Sequence, residues 1–249
     1  MSTMNQVSVD VNPKLNLRNT ARIVGILFII ATAAPLLSVA FVPAIFGPES
    51  IDNVVLLADN ETSTRLGILL EFTMAVAVAS IPIVMYPILK RLNQSMALGY
   101  VAGRLVEGMM FTIGAICMLA LLSLSKGAVQ TFAADAIWNQ LCLTLLSIRS
   151  AESIFANFSF SLGSLMFYYM LYKAKLIPRW LAGWSLLGAV LFLASAFLVM
   201  FGLDSGSSLY VGLNAPGGLG EMVFALWLII KGFNPYAIGS IEIEDELTC

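Results

Sequence analysis

Six apolar runs, each about as long as the twenty residues that carry a helix across a hydrocarbon core, occupy most of this chain. They cover residues 23–46, 66–89, 97–124, 153–172, 180–201 and 211–230, and the connections between them are too short for a folded soluble domain. Charged residues make up only 11% of the chain and hydrophobic ones 59%, with a mean hydropathy of +0.89. Soluble domains carry about 25% charged residues, and no soluble core hides this much apolar surface. The expected fold is therefore all-α, a polytopic bundle of six transmembrane helices. It divides into a polar tail over 1–16 that includes Pro13, a membrane domain over 17–234, and an acidic tail over 235–249 with Glu242, Glu244, Asp245 and Glu246.

Orientation follows from the basic residues near the span ends. Lys14, Arg18, Arg22, Lys90, Arg91, Lys173, Lys175, Arg179 and Lys231 share one side, while Arg65, Lys126 and Arg149, at a helix edge, fall towards the other among Glu49, Asp52, Asp59, Glu61, Asp135 and Asp204. Both termini are expected in the cytoplasm of a cell whose membrane holds the protein. Ser38-Val39-Ala40 resembles a signal-peptide cleavage site, but a signal core spans about 7 to 15 apolar residues, fewer than the first run has. The net charge of −2 argues against nucleic acid as a partner.

Histidine is absent and the three cysteines are scattered, so no familiar zinc, haem or Cys/His catalytic set assembles, and no cofactor is expected. Cys117 and Cys142 are read as buried thiols rather than a disulfide, and Cys249 lacks the residues that a prenylation signal requires after it. Residues 47–65 read as the longest soluble connection, with a glycosylation sequon at Asn60-Glu61-Thr62. Within 125–150 a separate short interfacial helix is expected near 137–146. A weak similarity links the first and last hairpins: spans two and six both open Leu-Gly and carry a glutamate, Glu71 and Glu221. Transporters are often built from such repeats.

The informative residues are the charges inside the runs, because each costs about 2.5–3.5 kcal/mol at the bilayer centre. Arg104 and Glu107 are three apart and share a helix face. Glu221 reaches a comparable depth on span six, just after Asn214-Ala215-Pro216-Gly217-Gly218, where a proline is expected to interrupt the helix. Gly217, Glu221 and Ala225 would share a face that approaches another helix. Glu71 and the Arg149/Glu152 pair are expected nearer the outer boundary, within reach of water. Span four adds Ser153, Asn157, Ser159, Ser161, Gly163 and Ser164, small polar residues of the kind that pack membrane helices together.

Four segments carry a resemblance: Gly67 to Glu71, Ala97 to Glu107, Leu171 to Trp180, and Gly220 to Phe233. Together they resemble a prokaryotic membrane family known as domain of unknown function family 4386, over about residues 15–235. That resemblance implies six helices and a cell-membrane location, and the family brings no activity, substrate or cofactor. Two functional readings stand. In one, the bundle binds or passes a small solute, cation or proton between spans two, three, four and six, with Glu71, Arg104, Glu107, Glu152 and Glu221 as candidate site residues. In the other it is an accessory or assembly protein, in which Arg104 bridges Glu107 and Glu221 and ties spans three and six together. An enzyme is not expected, since the hallmark nucleophile and base pairings are missing. Beyond the lipid bilayer and a small solute or cation, no partner is indicated, and nothing sets an oligomeric state.

Overall fold

The computed structural model describes residues 13–42, 50–131, 136–234 and 237. Among these residues the chain forms seven α-helices and no strand: α1 Pro13–Phe41, α2 Ser50–Asp59, α3 Glu61–Leu92, α4 Gln94–Thr131, α5 Ala136–Ala174, α6 Arg179–Met200 and α7 Ser208–Ile230. Six of them, all but α2, are long and apolar enough to cross a membrane. The protein is a multi-pass integral membrane protein. Each spanning helix packs on the next, α1 on α3, then α4, α5, α6 and α7, and α7 closes back on α1. The spans thus form a ring.

Antiparallel connections bring Arg18, Arg22, Lys90, Arg91, Lys173, Lys175, Arg179 and Lys231 to one end of the ring, here termed the basic end. The core beneath it is aromatic and leucine-rich, with Tyr100 stacked on Phe167 at 4.5 Å and Phe224 edge-on to Phe28 at 5.2 Å. Leu89, Leu171, Leu176, Leu181 and Leu228 close it, all fully buried. Glycines let the remaining walls approach. Gly25 of α1 faces the Ala225 carbonyl of α7, and Gly188 of α6 lies so close to Gly217 of α7 that a Cβ there would stand 2.7 Å from the Gly217 Cα.

Several expectations are corrected. Pro13 begins α1 rather than lying in a loose tail, which suits a residue that lacks the N–H a first helical turn leaves unpaired. The expected first span reaches past the observed end of α1 at Phe41, and 43–46 lie outside the described residues, as do 1–12, Cys249 and the acidic tail residues from 238 on. Segment 47–65 is not a plain connection. It contains α2, whose Val54 and Leu57 are fully buried against the far end of α4. The Ser125 hydroxyl pins this helix, accepting from Ala58 N at 3.0 Å and donating to the Val55 carbonyl at 2.9 Å.

The separate interfacial helix does not exist either. Residues 137–146 are the start of α5, which runs 39 residues without a break, about 58 Å at 1.5 Å per residue, well beyond a hydrocarbon core of about 30 Å. Trp138 and Cys142 bury their side chains in the cluster with α2 and α4, and Trp138 Nε1 donates to the Leu124 carbonyl at 3.1 Å. Cys117 and Cys142 are buried free thiols, as expected. Finally, α7 is continuous through Pro216. The Pro216 carbonyl accepts from Trp184 Nε1 at 3.0 Å, so packing against α6 engages the backbone at this point without unwinding it.

Candidate functional site

The ionisable residues inside the ring fall into two sets, both touching α4. In the first, the Arg104 guanidinium bonds Glu107 at 3.0 Å, with both side chains almost wholly enclosed. Phe160 of α5 and Phe28 of α1 lie under the guanidinium at 5.3 and 5.8 Å to the ring centres. These rings replace water with the negative faces of π systems, which favours a desolvated cation. Gly163 of α5 packs against the α4 backbone at Tyr100 and Arg104, and Gly103 of α4 against the Ser159 carbonyl. The small residues of α5 thus bring the two helices together where the arginine sits.

Glu221 enters this set from α7, within electrostatic reach of Arg104, Tyr100 and Tyr168. Its side chain forms no ion pair with Arg104 and no hydrogen bond to a described residue. The expected bridge between spans three and six is therefore absent: the arginine pairs within its own helix, and Glu221, partly exposed, is left over. Nor does one face of α7 serve one neighbour, since Gly217 packs on α6 and Ala225 on α1. Around this set Tyr100 Oη and Arg104 Nε are buried without a hydrogen-bond partner among the described residues, and Ser185 lies by the Tyr168 hydroxyl. Such groups cost about 1–3 kcal/mol each when left unsatisfied.

The second set lies two turns farther along α4, roughly 10 Å from Glu107, at Gly114. Here Arg149 of α5 grips both carboxylate oxygens of Glu71 on α3, at 2.6 and 3.0 Å, and also donates to the Gly114 carbonyl at 3.0 Å. Ser38 of α1 adds a long hydrogen bond to Glu71 at 3.4 Å. Glu152, 7% exposed, lies so close to Gly114 that a Cβ on that glycine would stand 2.6 Å from its carboxylate. No hydrogen bond or ion pair joins Glu152 to a described residue. These residues are not within open reach of water, as the sequence suggested. Each side chain of the Arg149–Glu71 pair is 14% exposed, because α5 extends past Arg149 to Ala136 and places it inside the wall.

Both sets have the same composition, one arginine and two glutamates. In each, one glutamate holds the arginine and the other is left without a bonded partner. Residues 23–232 match the family model described as Domain of unknown function (DUF4386). The chain belongs to the DUF4386 family. Neither curated proteins nor solved structures give a match. All five charged residues singled out in the sequence lie within the part of this DUF4386 chain that the family model covers. Sequence reading placed Arg149 at a helix edge and missed its role as the inward partner of Glu71; the apolar pattern of 137–146, read as a continuous extension of span four, was the available signal. It missed Tyr100 and Tyr168 as polar neighbours of Glu221. Among the described residues no group of histidine, cysteine, aspartate and glutamate forms a metal cluster.

Proposed function

We propose that this DUF4386 protein is a non-enzymatic protein of the cell membrane, with both termini in the cytoplasm, that takes a proton or small cation into its two internal carboxylate sets. The observation that carries this reading is the ratio of charges: Arg104 faces Glu107 and Glu221, and Arg149 faces Glu71 and Glu152. With both acids ionised, each set would carry a formal charge of −1 in a medium where an unpaired charge costs several kcal/mol. A proton or cation on the free carboxylate removes that cost. Glu221 and Glu152 are the groups that would take it, because Arg104 and Arg149 are already paired with the other acid of each set. The aromatic and leucine floor closes the first set from the basic end, so access is from the opposite end or through Glu221.

The test is infrared spectroscopy of the purified protein at neutral pH, together with thermal unfolding in sodium, potassium and choline salts. Either a protonated-carboxyl band that disappears in Glu221→Gln or Glu152→Gln, or a cation-dependent rise in Tm that those variants lose, is the expected result. A wild-type protein with neither property would remove the reading. Flux of protons or cations into liposomes then separates passage from binding. A second reading, an accessory protein whose charges fix helix pairing, is favoured by the Arg149–Glu71 bridge alone, which joins α3 to α5 and is nearly closed to solvent.

A further inference from the structure

A cleft of about 510 Å³ opens at the basic end, between the α5–α6 connection and the end of α7. Lys175, Arg179 and Lys231 line it with Trp227, and among the described residues no acidic one does. None of the three cations forms an ion pair among the described residues; Arg179 rests over the Tyr172 ring at 5.6 Å. Three cations around one cleft, unpaired among the described residues, repel one another, so an anion between them stabilises the arrangement. The N-terminus of α6 at Arg179 adds its partial positive charge on the same side.

One backbone detail shows that a side chain is wanted here. The last turn of α5 ends with Leu176 N on the Leu171 carbonyl and Lys175 N on the Tyr172 carbonyl, the pattern that puts the donor of the second bond in the left-handed region and usually selects glycine there. At the ends of α6 and α7 that conformation falls on Gly202 and Gly232, but at the end of α5 it falls on Lys175, with φ of 54°. The lysine bears a strain that glycine would not. Asn234 ties the connection in place from the other wall, donating from its backbone N–H to the Leu176 carbonyl at 2.8 Å and from Nδ2 to the Lys175 carbonyl at 3.3 Å.

The level of the cleft identifies the anion. Its walls are the residues just past the spans that end at Ala174 and Ile230, with Trp227 of the latter, and the first residue of the span that starts at Arg179. Trp227 packs edge-on against Trp180 at 6.4 Å, and Trp180 is 57% exposed on the outer surface. Tryptophans gather where chain and headgroup regions of a membrane meet, and basic pockets between helices at this level take anionic lipid headgroups. We propose that this cleft binds the phosphate of an anionic phospholipid headgroup, with Lys175, Arg179 and Lys231 as its ligands.

Thermal unfolding and native mass spectrometry of the full chain in detergent, with added phosphatidylglycerol, cardiolipin or phosphatidylcholine, test this. The anionic lipids should raise Tm and remain bound after gas-phase release, and phosphatidylcholine should do neither. Lys175→Gly is the decisive variant: it relieves the backbone strain, so it should fold at least as well as wild type without lipid, yet lose most of the anionic-lipid gain. Arg179→Gln with Lys231→Gln should lose the rest, whereas Arg18→Gln, Arg22→Gln and Lys90→Gln combined, at the same end but outside the cleft, should keep it. An equal gain with phosphatidylcholine, full retention of the gain in Lys175→Gly with Arg179→Gln and Lys231→Gln, or loss of it in the control triple overturns the proposal. An equal gain with inorganic phosphate or glycerol 3-phosphate overturns the lipid as the source of the phosphate.

Discussion

Replacing Arg104 by alanine strips Glu107 of the one ion pair it has, at a position where the two side chains are 3% and 5% exposed. Water cannot take the place of the guanidinium there. Breaking a buried pair from one side costs about 3–5 kcal/mol, and part of that is lost contact with the Phe28 and Phe160 rings. For a chain of this length about 1 kcal/mol moves Tm by about 2–4 °C, so the loss should read as a drop of roughly 6–20 °C in detergent. The rescue is more telling than the loss. Arg104→Met with Glu107→Gln removes both charges at nearly constant volume, and such exchanges are often neutral or stabilising, so Tm should return close to wild type. If full recovery also needs Glu221→Gln, the three residues form one electrostatic set; if the double variant recovers alone, Glu221 is held independently of Arg104. A drop below about 2 °C for Arg104→Ala, less than 1 kcal/mol on the same scale, would refute the reasoning, as would a double variant no more stable than the single one.

Three further outcomes can be stated. A double-mutant cycle on Arg149→Ala and Glu71→Ala should give a coupling energy in the upper part of the roughly 0.5–3 kcal/mol found for contacting residues, because two short bonds join them across helices; chemical or thermal unfolding measures it, and a coupling near zero would mean the bridge is not formed in the membrane domain. Gly188→Ala places a methyl 2.7 Å from the Gly217 Cα, whereas Gly218→Ala meets nothing within 4 Å; the first should lose about 1–3 kcal/mol through forced separation of α6 and α7, the second nearly nothing, and equal Tm values for the two would contradict the observed packing. Reporter fusions after Asn234 should be active only with cytoplasmic reporters, since the basic residues gather at that end; activity confined to an external reporter would invert the topology.

What the sequence made legible, and what it did not, divides along the physics of the solvent. A bilayer demands about twenty apolar residues per helix and leaves charges inside it conspicuous, so the six spans and the set of Glu71, Arg104, Glu107, Glu152 and Glu221 can be read directly. Pairing cannot, because it depends on which wall of the ring each residue faces. Arg104 and Glu221 have opposite charge and similar depth, and only the ring order shows that Arg104 turns to its own helix neighbour. Arg149 and Glu71 are 78 residues apart and meet because α4 stands between α3 and α5 and presents Gly114 instead of a side chain. The helix ends fail for a related reason. Hydropathy marks where lipid contact stops, not where the helix does, and α5 continues past that point because Trp138 and Cys142 bury themselves against α2 and α4. Pro216 fails in the opposite sense: a helix breaker in water is retained in a continuous helix here, as proline is tolerated in membrane-spanning helices. The same low-dielectric interior that keeps α7 whole makes a left-over carboxylate expensive, and this is why the proposed ion-handling role is assigned to Glu152 and Glu221 rather than to the better-bonded Glu71 and Glu107.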